Sequence, residues 1–230
     1  MKTLLLALLL TLPLAVCGQK DVTKFLGIPV DGSKSEMIRK LKEKGFTKVN
    51  NPYIDDTILE GEFNGEDVEI SVVTNNNKVY RIFVEDQTPR DEVQIKIRFN
   101  KLVRQFENND AYAPVADDAS DFIIPDNEDI SYEMLVNDKR YEASFIQKLD
   151  IDSTEIANIQ KDIVLKYTEE ELSAPSDELV EEMLIEFISQ VVDLATMKMV
   201  WFTISQTPLG NYKILMYYDN KRNEANGQDL

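Results

Sequence analysis

Apolar positions fall into short blocks whose spacing switches between four residues and two along the chain. An apolar run from Leu4 to Val16 comes first, directly after the charged Met1-Lys2. Phe25-Leu26-Gly27-Ile28-Pro29-Val30-Asp31-Gly32 then reads as a short extended piece leading into a turn. Ser33 and Glu36 have the spacing of a capping box, Met37, Ile38 and Leu41 line one helix face, and Gly45 supplies the stop. Phe46 resumes the core contact. Strict alternation follows and predicts strands over about 57–63, 67–74 and 78–85, with Val68, Ile70 and Val72 on one side of the middle strand. Asn64-Gly65 signals a hairpin between the first two, and Asn75-Asn76-Asn77 turns the second into the third. Thr88-Pro89 then starts a helix, Pro being suited to the first helical position. Its buried stripe is Ile95, Phe99, Leu102, Val103 and Phe106.

The second half begins less regularly. Residues 130–136 and 141–147 read as two strands around Asn137-Asp138-Lys139-Arg140, the first also compatible with a helix. A helix over 153–166 carries Ile156, Ile159 and Ile163 on one face. The clearest element is 177–197, started by Ser176. Its pairs Leu179/Val180, Met183/Leu184, Phe187/Ile188 and Val191/Val192 repeat every four residues and make a broad apolar face. Its acids crowd the N-terminal half, where the helix dipole favours them. Two closing strands, about 199–206 and 211–218, flank Pro208-Leu209-Gly210-Asn211, and a polar tail runs from Asp219 to Leu230.

Helices and antiparallel strands segregate into runs, so the expected class is α+β: antiparallel sheets with helices packed on one face, in two tandem units. No internal sequence repeat is visible. Charge divides the chain the same way. Residues 19–106 hold fifteen basic and fifteen acidic side chains, whereas residues 107–230 hold nine and twenty-seven. The expected division is a signal peptide at 1–18, an αβββα unit at 19–107, an acidic Pro/Ala/Asp-rich linker at 108–121 and an α+β unit at 122–230.

The N-terminus has the charged start, apolar stretch and small-residue exit of a secretory signal. Its apolar run is shorter than the ~20 residues a membrane span needs. Cys17 is either the lipid-modified first residue of a lipoprotein or part of a segment cleaved before Gln19. It is the only cysteine, so an oxidising compartment would be survived without disulfides, which tilts the source towards bacteria.

Histidine is absent, which removes Ser-His-Asp and Cys-His catalysis and the usual zinc sites. No nucleophile elbow, phosphate-binding glycine loop or dinucleotide fingerprint is present. A net charge of −17 disfavours nucleic acid and anionic headgroups as partners. Asp117, Asp118 and Asp121 with Asp126, Glu128 and Asp129 have the oxygen ligands calcium wants, but they lack EF-hand spacing and read instead as a solvated loop whose charge keeps the protein soluble. No catalytic residue, cofactor site or metal site is singled out. A two-carboxylate glycan hydrolase survives as the alternative, with no pair of acids marked by its surroundings. Trp201, Tyr212 and Tyr217 are the candidate partner-binding residues: they lie on two adjacent strands, and alternation sets Trp201 opposite Phe202 and Tyr217 opposite Tyr218.

Three strings carry a resemblance. Phe25-Leu-Gly-Ile-Pro-Val-Asp-Gly-Ser33 with Lys44-Gly45-Phe46, then Val73-Thr74-Asn75-Asn76 with Lys78-Val79-Tyr80, and the ending from Tyr217-Tyr218-Asp219-Asn220 to Asp229-Leu230 resemble a group of uncharacterised exported proteins of Gram-negative gut-type bacteria. The resemblance implies an envelope location, periplasmic or surface-exposed, and no known activity. The helix-plus-meander pattern is also similar in outline to the β-lactamase-inhibitor-protein architecture, where a sheet face grips another protein. The reading is therefore an exported, non-catalytic binding protein whose protein or glycan partner is unspecified.

Overall fold

The computed structural model describes residues 21–49, 57–149 and 154–225. The expected signal peptide and Cys17 lie outside the described residues. The chain divides into a sheet-bearing unit, Val22–Lys148 with Met197–Leu230, and a second unit in which Leu149–Thr196 contributes three helices.

The sheet unit opens on a miniature hairpin. Strands β1 (Lys24–Phe25) and β2 (Ile28–Pro29) pair across Leu26 and Gly27, both at positive φ. Helix α1 (Lys34–Glu43) follows. The Ser33 hydroxyl caps it by accepting the Glu36 N–H at 3.3 Å, while the Glu36 carboxylate engages Lys40 at 2.8 Å. Four strands then meander: β3 (Thr47–Lys48), β4 (Ile58–Phe63), β5 (Glu66–Asn75) and β6 (Lys78–Asp86). The turns are as the residues require: Asn64-Gly65 and Asn76-Asn77 all take positive φ, the left-handed pair that matches strand twist.

The second half repeats that order. Helix α2 (Glu92–Glu107) precedes β7 (Tyr112–Pro114), β8 (Glu142–Gln147), β9 (Met199–Gln206) and β10 (Tyr212–Asp219). All eight strands of the two meanders form one antiparallel sheet in the order β3-β4-β5-β6-β10-β9-β8-β7. The last strand of each half pairs with the other at the centre, Tyr217 opposite Phe83 and Asp219 opposite Arg81. A helix-plus-four-strand repeat is thus present in topology. Insertions hide it from the sequence: residues 115–141 separate β7 from β8, and residues 148–198 separate β8 from β9.

Both long helices pack on the same sheet face, α1 over β5 and β6, α2 over β7, β9 and β10. The core between these helices and the sheet is apolar and mostly aliphatic with a cluster of rings, and Phe25, Phe99, Phe145, Phe202, Leu41 and Ile82 are all fully buried. A buried ion cluster crosses the same layer. Arg98, 4% exposed, donates to both Asp86 oxygens at 3.1 and 3.2 Å, and Arg90 joins Asp86 to Glu66.

Four expectations need correction. First, the two expected units do not separate near residue 108, because β6 and β10 bring strands from both into one sheet. Second, the expected linker 108–121 contains β7, whose Pro114 is tolerated because the strand lies at the sheet edge. A short 3-10 turn, Ala119–Phe122, then buries Ala119. Third, residues 130–136 form helix α3 (Ile130–Val136), started by Asp129, which accepts the Tyr132 N–H at 2.8 Å. Leu135 and Val136 imitate a strand pattern but end up exposed. Fourth, α2 starts at Asp91, not Pro89: Arg90 and Tyr212 exchange backbone hydrogen bonds at 2.8 Å, holding the chain extended until Asp91 caps Gln94.

The tail is also more built than a polar ending suggests. Asn220 is 1% exposed and donates to the Val30 carbonyl, while Asn223 reaches Asp31 and the Val79 carbonyl, each at 2.8 Å. Asn75 in turn donates to the Asn223 carbonyl at 3.0 Å. Val30-Asp31, Asn75 with Val79, and Asn220 with Asn223, one part of each string behind the resemblance, therefore meet.

The helical unit contains α4 (Thr154–Val164), α5 (Glu169–Ser173) and α6 (Asp177–Thr196). Ile159, Ile163 and Met183 form its buried centre, with Leu179, Phe187 and Val191 partly buried against them. Ser176 caps α6 by accepting the Leu179 N–H at 3.2 Å, as its position before the acidic turn predicts.

Candidate functional site

The sheet face away from α1 and α2 carries a register of side chains rather than a core. Alternation sends Val200, Phe202 and Ile204 of β9 and Ile214, Met216 and Tyr218 of β10 inward, so Trp201, Thr203, Leu215 and Tyr217 project from the open side. Cross-strand pairing then aligns one row across six strands: Ile58, Ser71, Phe83, Tyr217, Trp201 and Ser144. Each is half-buried. Three rings occupy the middle of this row, flanked by two serines.

The rings stand packed against one another. Trp201 and Tyr217 stack with centroids 3.9 Å apart and planes 12° from parallel. Phe83 tilts against the other side of Tyr217 at 5.2 Å. Arg81 sits over the Tyr217 ring at 4.9 Å and the Trp201 ring at 5.8 Å. Its guanidinium makes a two-pronged bond to Asp219, at 2.5 and 2.8 Å. The free Asp219 lone pairs also accept the Trp201 indole N–H at 2.9 Å. Asp219 thereby fixes both the cation and the indole, and the stack contributes about 0.5–1.5 kcal/mol beyond its burial. The Asp219 hydrogen bond raises the Arg81 pKa, and burial raises that of Tyr217 against the pull of the Arg81 cation.

A second row beside the aromatic one is acidic. Glu60, Glu69 and Glu85 line up on β4, β5 and β6, Leu215 and Thr203 continue the row, and Glu142 ends it on β8. Lys213 neutralises Glu85 at 2.7 Å. The open face is apolar and aromatic along its centre and negative along one side.

Of the three predicted residues, the structure brings Trp201 and Tyr217 together and leaves Tyr212 out. Tyr212 is 3% exposed and points to the helix side, where its hydroxyl meets Ser131 at 2.7 Å and accepts from Gln206 at 3.3 Å. Ser131 also donates to Glu92, and the Glu92 carboxylate accepts the Ile130 N–H, so this network ties α3 to α2. Five positions from Tyr217, an odd number, Tyr212 falls on the opposite face of the same strand. Phe83, Arg81 and Asp219 are the members sequence reasoning missed. Alternation places each on the open face, but only the β6–β10 pairing reveals that they meet.

Three of the six acidic residues weighed for calcium have local duties. Asp118 caps the 3-10 turn at Ser120, and that backbone hydrogen bond lowers its pKa. Asp129 caps α3, and Glu128 binds Lys139 and the Tyr141 hydroxyl, which lower its pKa. Among the described residues no group of three or more acids is placed to hold a metal ion. The Glu36, Asp118, Glu128 and Glu171 carboxylates are all held below their ordinary range, each by a hydrogen bond. A shallow depression of about 640 Å³ runs along the outside of α2, bordered by Ile97, Lys101, Arg104 and Asp126. No described helix is long and apolar enough to cross a membrane.

Fold and site together define an α+β protein with an eight-stranded antiparallel sheet whose face opposite α1 and α2 carries an aromatic row. No protein-family model, curated protein or solved structure matches the chain.

Proposed function

We propose that this is an exported, non-catalytic binding protein of a bacterial cell envelope that grips a protein partner through the open sheet face. The observation that carries the reading is the Phe83–Tyr217–Trp201 row, pinned by Arg81 and Asp219 at the sheet centre. Aromatic residues ordered in advance lose little entropy when a partner covers them, which is why Trp, Tyr and Arg dominate protein interfaces. A protein partner suits the row better than a glycan. Sugar stacking uses a free ring face, and here Trp201 and Tyr217 cover one face of each other while Phe83 and Arg81 flank Tyr217. The acidic row selects for a partner that is basic beside its apolar centre. Export rests on the N-terminal pattern of the sequence, and the envelope location on the resemblance of its three strings.

The test is affinity purification of the tagged protein from crosslinked native cells, read by mass spectrometry for both partner and mature N-terminus. The expected result is one reproducible protein, recovered at least ten-fold less with Trp201→Ala or Tyr217→Ala, and an N-terminus at Cys17 or Gln19. Equal recovery with both variants, or an intact Met1, contradicts the corresponding part of the proposal.

A further inference from the structure

Two helices keep an outward stripe in solvent, and the stripes complement each other. On α2 the outward positions are Val93, Ile97, Lys101 and Arg104, spaced by four, four and three residues so that they share one face. Val93 and Ile97 are each 63% exposed, and no acidic side chain pairs with Lys101 or Arg104 among the described residues. This stripe is apolar at its N-terminal end and basic at Lys101 and Arg104, before the exposed Glu107 that ends the helix. It also borders the depression along α2.

On α6 the order is reversed in sign and in sequence. Glu178 and Glu181 come first on the outward stripe, then Ile185, Ile188 and Val192. The three apolar residues are 61%, 52% and 52% exposed. No Lys or Arg occurs anywhere from Tyr167 to Met197, so nothing on this stretch neutralises the stripe from within.

Laid antiparallel, the two stripes match in register. Val93 to Ile97 and Val192 to Ile188 are both four-residue steps, and Ile97 to Arg104 and Ile188 to Glu181 are both seven-residue steps. At 1.5 Å per residue these are about 6 and about 10.5 Å on each helix. Val93 then faces Val192, Ile97 faces Ile188, and Arg104 faces Glu181, with Lys101 one turn from Glu181 and Glu178 at the rim opposite Glu107. Antiparallel helix dipoles also oppose favourably.

We propose that the α6 stripe is a docking surface for the α2 stripe of a second copy of this chain. Pairing α6 with another α6 is excluded by charge, since it would bury acids with no cation in reach. A basic foreign helix would match the signs, but the equal step lengths are a property of this chain's own two helices. One helix pair covers less than the roughly 1,000 Å² of a stable interface, so the association is weak and reversible unless two such contacts close a symmetric pair. The inference does not depend on the aromatic face.

The experiment is sedimentation equilibrium of the mature chain up to high-micromolar concentration at about 0.15 M salt. Reversible self-association is expected. Lys101→Glu/Arg104→Glu, Glu178→Lys/Glu181→Lys and Ile188→Ser should each weaken it at least ten-fold, with unchanged far-ultraviolet circular dichroism because all five positions are exposed. An equimolar mixture of the two charge-reversed chains should recover association, since each then offers the other a complementary stripe. A chain that is monomeric throughout overturns the proposal, as does association insensitive to both reversals or a mixture that stays monomeric.

Discussion

At the scale of single residues, Gly61 shows how tightly the helix-side core is closed. A Cβ there would lie 2.6 Å from Cδ1 of Phe46, a ring only 3% exposed. The glycine lets that ring lie against the β4 backbone, a close approach that a strand interior otherwise gains nothing from. Gly61→Ala should cost about 1–3 kcal/mol in urea unfolding. Adding Phe46→Ala should cost less than the sum of the two single changes, because the clash is already gone. Additive effects would show that the ring does not depend on the glycine. The site's legibility is decided at this scale too. Period-two alternation sets Trp201 opposite Phe202 and Tyr217 opposite Tyr218, but only the β9–β10 register puts Trp201 and Tyr217 on one face. Alternation could not expose the Arg81–Asp219 bond, whose partners are 138 positions apart and meet only through β6–β10 pairing.

At the scale of elements, local signals were readable wherever a cap or turn acted alone. Ser33, Ser176, Asn64-Gly65 and Gly45 act where their chemistry predicts. They failed where tertiary pairing overrode a weaker preference. The bridge between Arg90 and Tyr212 keeps the chain extended past Pro89, leaving Asp91 to start α2. Asp91→Ala should therefore destabilise by about 1 kcal/mol, and Pro89→Ala should stay well below that in the same chemical denaturation assay. The reverse ranking would restore Pro89 as the helix start. Helix α3 was ambiguous for a different reason: at seven residues it is too short for its period to outweigh the exposed Leu135 and Val136.

At the scale of the whole molecule, α+β class and helix-on-one-face packing were legible, because they follow from summed periodicities. The single sheet was not. Charge asymmetry suggested two bodies divided near residue 108, yet the acidic excess is shared about equally between residues 107–153 and the helices at 154–196, which are inserted between adjacent strands β8 and β9. The pH response is likewise a property of the assembled core. Burial raises the pKa of Tyr141, Tyr217 and Tyr218, with the Glu128 hydrogen bond adding to it at Tyr141. A folded state that holds its phenol protons more tightly has this contribution fully below the unfolded tyrosine value of about 10, and loses it as pH rises through the raised values. Urea midpoints should thus fall from about pH 10 upward, and Tyr218→Phe should reduce the fall. An unchanged alkaline loss in that variant would remove Tyr218 from the account.

The claim that matters most is that the open sheet face, and not the helix side, meets a partner. Photocrosslinking in native cells addresses it directly, with the reactive side chain placed at Ser71 or Thr203 beside the aromatic row and, as a control, at the exposed Glu43 of α1. The account predicts one discrete adduct of the same mass increment from both open-face positions, lost when Trp201→Ala is added, and none from position 43. Adducts that are identical from all three positions, or that survive loss of the indole, would contradict it.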